Sequence, residues 1–183
     1  MQIVRERENL VYENQYVAVY DDDVAFPSGK KGAYFRTQWK APYGVAIVPV
    51  IDDEVVLIRS YRYTEGAIVT EIPQGFGTER SSPEADAARE LSEETGLRSE
   101  ELTLLAVFGK AFQTYVYICC ISREQKPTMH SQENTESILD FCSLPLSGIS
   151  FEQLAEAGVV DPLTVSSVLM ARDRAQSFPS QSD

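Results

Sequence analysis

Scarcity narrows the chemistry of this chain before any motif does. Its 183 residues hold one histidine, one tryptophan and three cysteines. His130 stands alone, and Cys119, Cys120 and Cys142 form no C-x-x-C pair, so neither a disulfide framework nor a zinc site has the ligands it needs. The three thiols read as core or near-core residues, the usual location of free cysteine. Positive charge is scarce as well: 16 basic against 28 acidic residues give a formal net charge of −12. A field of that sign repels a phosphate backbone and argues against nucleic acid as the main partner. No apolar run is long enough to cross a bilayer, and the charged opening MQIVRERENL lacks the apolar core of a secretory signal. The expectation is a cytoplasmic protein with no membrane partner.

What is present suits one compact domain, with a hydrophobic fraction of 43% and no internal repeat. Segments 10–20, 23–26 and 33–39 carry the aromatic and β-branched residues of strands, with turns expected at Asp21–Asp23 and at 27–32. They predict an N-terminal antiparallel sheet. Segments 44–51 and 54–63 flank Asp52-Asp53 as a hairpin, and ELTLLAVFGK and TYVYICCIS (114–122) supply further strands. Helical patterns follow at 151–160 and from Asp161-Pro162 onward, where Val165, Val168 and Leu169 recur at helical spacing. The polar segment 123–137 reads as a mobile loop and the end, SFPSQSD, as a disordered tail.

The densest chemical signal lies between Gly75 and Leu97, GFGTERSSPEADAARELSEETGL. Two N-terminal signals compete for a helix near 83–95, a capping box between Ser81 and Glu84 and an N-cap at Ser82 followed by Pro83; Gly96 closes the helix. Ala87, Ala88 and Leu91 give it an apolar stripe. Glu90, Glu93 and Glu94 sit at i, i+3 and i+4, where each bare like-charged pair costs roughly 0.2–0.5 kcal/mol. A cation is expected to neutralise them.

This segment resembles the box of the Nudix hydrolases, G-x5-E-x7-R-E-U-x-E-E-x-G-U with U aliphatic, matching at Gly75, Arg89, Glu90, Leu91, Glu93, Glu94, Gly96 and Leu97. Ser81 stands where the pattern has its first glutamate, with Glu79 or Glu84 as partial substitutes. The resemblance implies an α+β fold, the Nudix α/β/α sandwich with a mixed sheet, and a small N-terminal antiparallel sheet beside it. It divides the chain into an N-terminal sheet region 1–40, which builds the dimer and substrate pocket, a Nudix domain 41–175 and a tail 176–183. It also implies Mg²⁺, or Mn²⁺, held by Glu90, Glu93, Glu94 and the backbone carbonyl of Gln74, with Arg89 holding a glutamate in place. Mg²⁺ suits such a set because it prefers oxygen ligands and shares itself between a few carboxylates and substrate phosphates.

The flanking stretches LIRSYRY, EIPQG, ENTESI and EQLAEAGVVDPLTVSSVLMARD are similar to the ADP-ribose pyrophosphatase branch of that family. That branch cleaves nucleoside diphosphate sugars and commonly works as a homodimer. By this resemblance Glu71 and Arg62 lie near the substrate, with Arg59 as a weaker counterpart, and bidentate arginine suits phosphate. The same resemblance gives Glu93 and Glu94 catalytic duties and draws the general base from the loop, Glu136 first and Glu133 second, unless a box glutamate takes that part. The expected reaction yields a nucleoside monophosphate and a sugar phosphate. No proline occurs between Leu97 and Pro127, where many ADP-ribose enzymes carry a Pro-Gly loop. GDP-mannose, a dinucleoside polyphosphate and a nucleoside triphosphate therefore stand as alternative substrates, and a non-catalytic nucleotide-sugar sensor as a rival class, opposed by the intact glutamate triad. Tyr34, Phe35 and Trp39 offer flat rings that either stack a base or belong to core or dimer interface.

Overall fold

The computed structural model describes residues 2–129 and 137–177. Strands β1 (Val4–Arg7), β2 (Leu10–Glu13), β3 (Val17–Ala25) and β4 (Lys31–Trp39) form an antiparallel sheet. β1 and β2 line one edge of β3 in succession, interrupted at Glu8-Asn9, and β4 lines the other. The turn expected at Asp21–Asp23 is instead the middle of β3. Strand alternation exposes Asp21 and Asp23 and buries Asp22, whose carboxylate takes the Asn9 amide at 3.1 Å and Arg36 Nε at 2.7 Å. Charge pairing across the sheet thus overrides local turn propensity. The chain turns earlier, where Asn14 Oδ1 accepts the Tyr16 and Val17 amides at 2.8 and 2.9 Å.

The second sheet holds β5 (Gly44–Ile51), β6 (Glu54–Arg62), β7 (Ala67–Glu71), β8 (Gln74–Phe76), β9 (Thr103–Phe108), β10 (Thr114–Cys120) and β11 (Ile138–Pro145). Asp52 and Asp53 adopt positive φ, 47° and 70°, and close the hairpin between β5 and β6. These two strands pair only at its tip, Val50 with Val55 and Ile51 with Glu54. Beyond it they splay, and β8 pairs with β5 while β7 pairs with β6. The segment EIPQG enters the gap, fixed by the Ile47 amide on the Pro73 carbonyl at 2.9 Å. β10 runs parallel to β5 along its other edge.

Helix α1 (Pro83–Thr95) covers one face of this sheet, where its Ala87 and Leu91 pack with Val45, Ile47, Val56 and Leu97. The other face, with Ala46, Val48, Leu57 and Val116, packs with Leu154 of α2 (Phe151–Glu156) and Val168 and Ala171 of α3 (Pro162–Ser177). Alternate residues of β5 therefore enter different layers, as a strand covered on both sides requires. The expected α/β/α sandwich with a mixed sheet and an N-terminal antiparallel sheet is observed. Two sequence expectations need correction. Residues 138–145, left unassigned, form β11, an edge strand that joins the sheet through long-range pairing with β6. The segment from 123 begins anchored: Gln125 exchanges two 2.9 Å bonds with the Arg98 backbone, and the Thr128 amide reaches the Thr95 carbonyl at 2.8 Å. Cys119 is buried and Cys142 partly so, but Cys120 is exposed because β10 alternates at its end. α3 extends to Ser177, two residues into the expected tail, and the rest of that segment lies outside the described residues.

Candidate metal and phosphate site

α1 is specified locally. The Ser82 hydroxyl accepts the Ala85 amide at 3.2 Å, Pro83 occupies the first turn, and Gly96 ends the helix at φ 70°. Of the two competing starts, the serine–proline one is used. One face of the helix buries Ala87 and Leu91, the leucine contributing about 1.5–3 kcal/mol. Beside them Asp86, Glu90 and Glu94 are also buried, at 2%, 6% and 6% exposure. Carboxylates tolerate burial only when partnered.

The partners come from the loop after β7. The Gln74 amide donates to Glu94 Oε2 at 2.9 Å, and a Cβ on Gly75 would land on the Glu90 carboxylate, so glycine there is a space requirement. The Thr78 amide and the Tyr43 hydroxyl donate to Asp86 Oδ2 at 2.9 and 2.8 Å. Burial pushes the Asp86 carboxyl up, but the Thr78 amide, Tyr43 and Arg89 outweigh it and leave its pKa below the ordinary value. Burial, then Asp86, push the Tyr43 hydroxyl up to about 12, so it remains a proton donor at neutral pH. The Tyr43 ring lies over Gly77, where a Cβ would collide with it. The second glycine of GFG was the available sequence signal for this tyrosine, which the sequence reading missed.

Arg89 binds the cluster together. It reaches Glu93 Oε2 at 2.6 Å, Glu90 Oε1 at 2.8 Å, the Phe76 carbonyl at 3.1 Å and Asp86 Oδ1 at 3.4 Å. The three motif glutamates do not share one face: Glu90 and Glu94 turn inward, whereas Glu93 is exposed and held by Arg89. Part of the neutralisation expected from a cation is thus supplied by arginine. Among the described residues no three Asp, Glu, His or Cys side chains converge as a ready metal cage. The donor set still fits magnesium, which keeps several waters and needs only one or two carboxylates besides the substrate's phosphates.

A second network adjoins the first through Gln74. Buried Glu71 accepts Ser60 Oγ at 2.5 Å, Arg62 Nε at 2.8 Å and Gln74 Nε2 at 3.0 Å. Gln74 therefore grips Glu94 with its backbone and Glu71 with its side chain. Arg62 pairs with Glu71 at 2.7 Å, whereas Arg59 pairs with Asp140 of β11 at 3.2 Å. Glu133 and Glu136 lie outside the described residues.

The chain's likenesses agree with this geometry. A family model described as the NUDIX domain matches residues 40–163, well over half of the chain. An ADP-ribose pyrophosphatase of Bacillus subtilis is 32% identical over 99 residues, 54% of this chain and 52% of that protein. An ADP-sugar pyrophosphatase of Mus musculus is 31% identical over 103 residues, 51% of this chain and 47% of that one. The chain spans about half the length of these curated relatives. A solved ADP compounds hydrolase superposes with a TM-score of 0.78 at 22% identity, covering 97% of each chain, which establishes a shared fold.

Proposed function

The chain belongs to the Nudix family, and from that premise we propose that it hydrolyses the diphosphate bond of a nucleoside diphosphate sugar, ADP-ribose-like, to a nucleoside monophosphate and a sugar phosphate. The observation that carries this reading is the Arg89-centred cluster, which holds Glu90 and Glu94 against the Gly75 loop. Glu90, Glu94, Glu93 and the Gln74 carbonyl would hold a divalent cation, Mg²⁺ or Mn²⁺. When bound, that cation offsets charge on the diphosphate oxygens and acidifies water, each effect giving several kcal/mol on the order of known metal catalysis. Arg62, preset by Glu71, turns its guanidinium to a phosphate oxygen. A carboxylate takes the proton of the attacking water, the P–O–P bond breaks, and the leaving phosphate keeps the bridging oxygen. Glu136 or Glu133 fills the proton-accepting role, or else a box glutamate, for about 10²–10⁴-fold in rate.

The N-terminal sheet supports a homodimer. Eight of the nine β4 residues are exposed, and Val11, Tyr12, Tyr34 and Phe35 expose about half their surface or more. A long sheet left so bare on a monomer marks an interaction surface. The decisive experiment offers ADP-ribose, GDP-mannose, a dinucleoside polyphosphate and a nucleoside triphosphate with Mg²⁺ and identifies the products. We expect monophosphate plus sugar phosphate, complete loss with chelator, and at least a hundredfold loss of kcat in Glu94→Gln. Full activity of that variant at saturating Mg²⁺ would remove Glu94 from the site.

A further inference from the structure

The box of this chain carries Ser81 where the family pattern has a glutamate, and the surrounding geometry shows what fills the gap. Glu79 and Glu84, the substitutes expected from sequence, are both exposed, and among the described residues neither forms an ion pair with Arg89. The Ser81 hydroxyl reaches the Ser82 carbonyl at 3.4 Å. The Ser81 carbonyl, however, lies 2.9 Å from the Tyr43 hydroxyl, the same hydroxyl that stands 2.8 Å from Asp86 Oδ2. The Asp86 carboxylate is therefore a close neighbour of residue 81 in space, although the helix start separates them along the chain.

Asp86 is an unexpected residue to bury. A carboxylate in the first turn is favoured by the helix dipole, but an exposed side chain such as Glu84 gains that benefit as well. Asp86 is 2% exposed, and an ion pair so buried adds little net stability over an apolar side chain of equal volume. What its burial adds is geometry. Oδ2 takes the Thr78 amide at 2.9 Å and the Tyr43 hydroxyl, while Oδ1 faces both Nε and Nη2 of Arg89 at 3.4 Å. One oxygen is committed to the loop and the other to the arginine. The loop side is itself firmly held: the Gly77 amide donates to the Tyr43 carbonyl at 2.9 Å, and the Tyr43 ring meets that of Tyr115 edge-on at 5.6 Å. The Arg89 contacts of Asp86 are longer than those to Glu90 and Glu93, so Asp86 acts on the guanidinium mainly as a poorly screened charge. It draws in the Nε edge and leaves Nη1 to Glu93 and Nη2 to Glu90.

We infer that Asp86 is a positioning residue that stands in for the missing glutamate at 81: it carries the charge that ties the loop 75–81 to Arg89 and, through Arg89, sets where Glu90 and Glu93 point. The inference rests on the metal-site part of the proposed function, and its test reads that site without requiring turnover.

Mn²⁺ binding to the full chain is measured by calorimetry without nucleotide, beside hydrolysis of nucleotide sugars, and urea unfolding checks that each variant is folded. Asp86→Asn keeps the shape and an acceptor for the Thr78 amide, and it should weaken Mn²⁺ binding about tenfold or more, as loss of a group that orients metal-binding carboxylates does. Asp86→Ala should do the same, and adding Ser81→Glu in that background should return the affinity to within about threefold of the parent, since the two positions serve one purpose. Ser81→Glu alone sets a second carboxylate against Asp86 and should bring no gain. Glu79→Ala and Glu84→Ala should leave Mn²⁺ affinity and kcat unchanged. Unaltered Mn²⁺ affinity in Asp86→Asn, failure of Ser81→Glu to rescue Asp86→Ala, or an equal gain in Ser81→Glu alone would each overturn the inference. A parent chain that binds no Mn²⁺ would overturn it too. Loss and rescue of Mn²⁺ affinity in a chain that hydrolyses no nucleotide sugar would uphold the role of Asp86 and sink the proposed activity; hydrolysis with an Mn²⁺ affinity indifferent to Asp86 would do the reverse.

Discussion

At the residue scale, the site is organised by hydrogen-bond donors that preset carboxylates. Tyr43 is the clearest case, because its hydroxyl reaches Asp86 within a half-buried pocket. A tyrosine whose pKa rises from 10 to about 12 on folding adds stability that is fully present below pH 10 and is lost as pH climbs through 12. Tyr43→Phe should cost about 1.5–3 kcal/mol at pH 8, the range for a hydrogen bond to a charged group. In urea titrations the gap between the two proteins should narrow between pH 10 and 12; a gap independent of pH would dismiss the Tyr43–Asp86 bond as its cause. Asp86 has the opposite sign. Its lowered pKa adds stability above pH 3.8 that disappears as pH falls further. The spacing of RELSEETGL made legible which carboxylates the structure gathers beside Arg89 and the Gly75 loop. It did not show that Arg89 would take Glu93 outward, because that depends on how the Gly75 loop fills the space beside Glu90.

At the scale of elements, legibility followed the range of the interactions involved. α1 was readable from 83 to 95 because Ser82, Pro83 and Gly96 act within one turn of it. The middle of β3 was misread because Asp22 is settled by Arg36, fourteen positions away, and β11 was missed because its partner β6 lies about eighty positions earlier. Long-range bonds also hold EIPQG in place. Thr164 Oγ1, at the start of α3, accepts the Ile72 amide at 3.2 Å, and Thr70 Oγ1 donates to the Ala157 carbonyl at 2.7 Å. Thr164→Val keeps the shape and leaves a buried amide unpaired, so we expect a loss of about 1–3 kcal/mol in denaturant titrations. An unaltered unfolding midpoint would show that α3 does not clamp this segment.

At the scale of the whole molecule, the N-terminal sheet extends from a sandwich already sealed on both faces. Such an uncovered sheet predicts association. Sedimentation should give twice the 20.4 kDa chain mass, and Phe35→Glu, altering a residue 66% exposed, should shift the population to monomer. A monomeric parent protein at micromolar concentration would contradict the dimer. The tight turn at Gly109 has a different implication. It joins β9 to β10 with both ends held by strand pairing, and it lies outside the stretch Gly75–Leu97 that gathers carboxylates around Arg89. A connection pinned at both ends in this way can be exchanged by recombination or drift without disturbing the carboxylates that Arg89 holds.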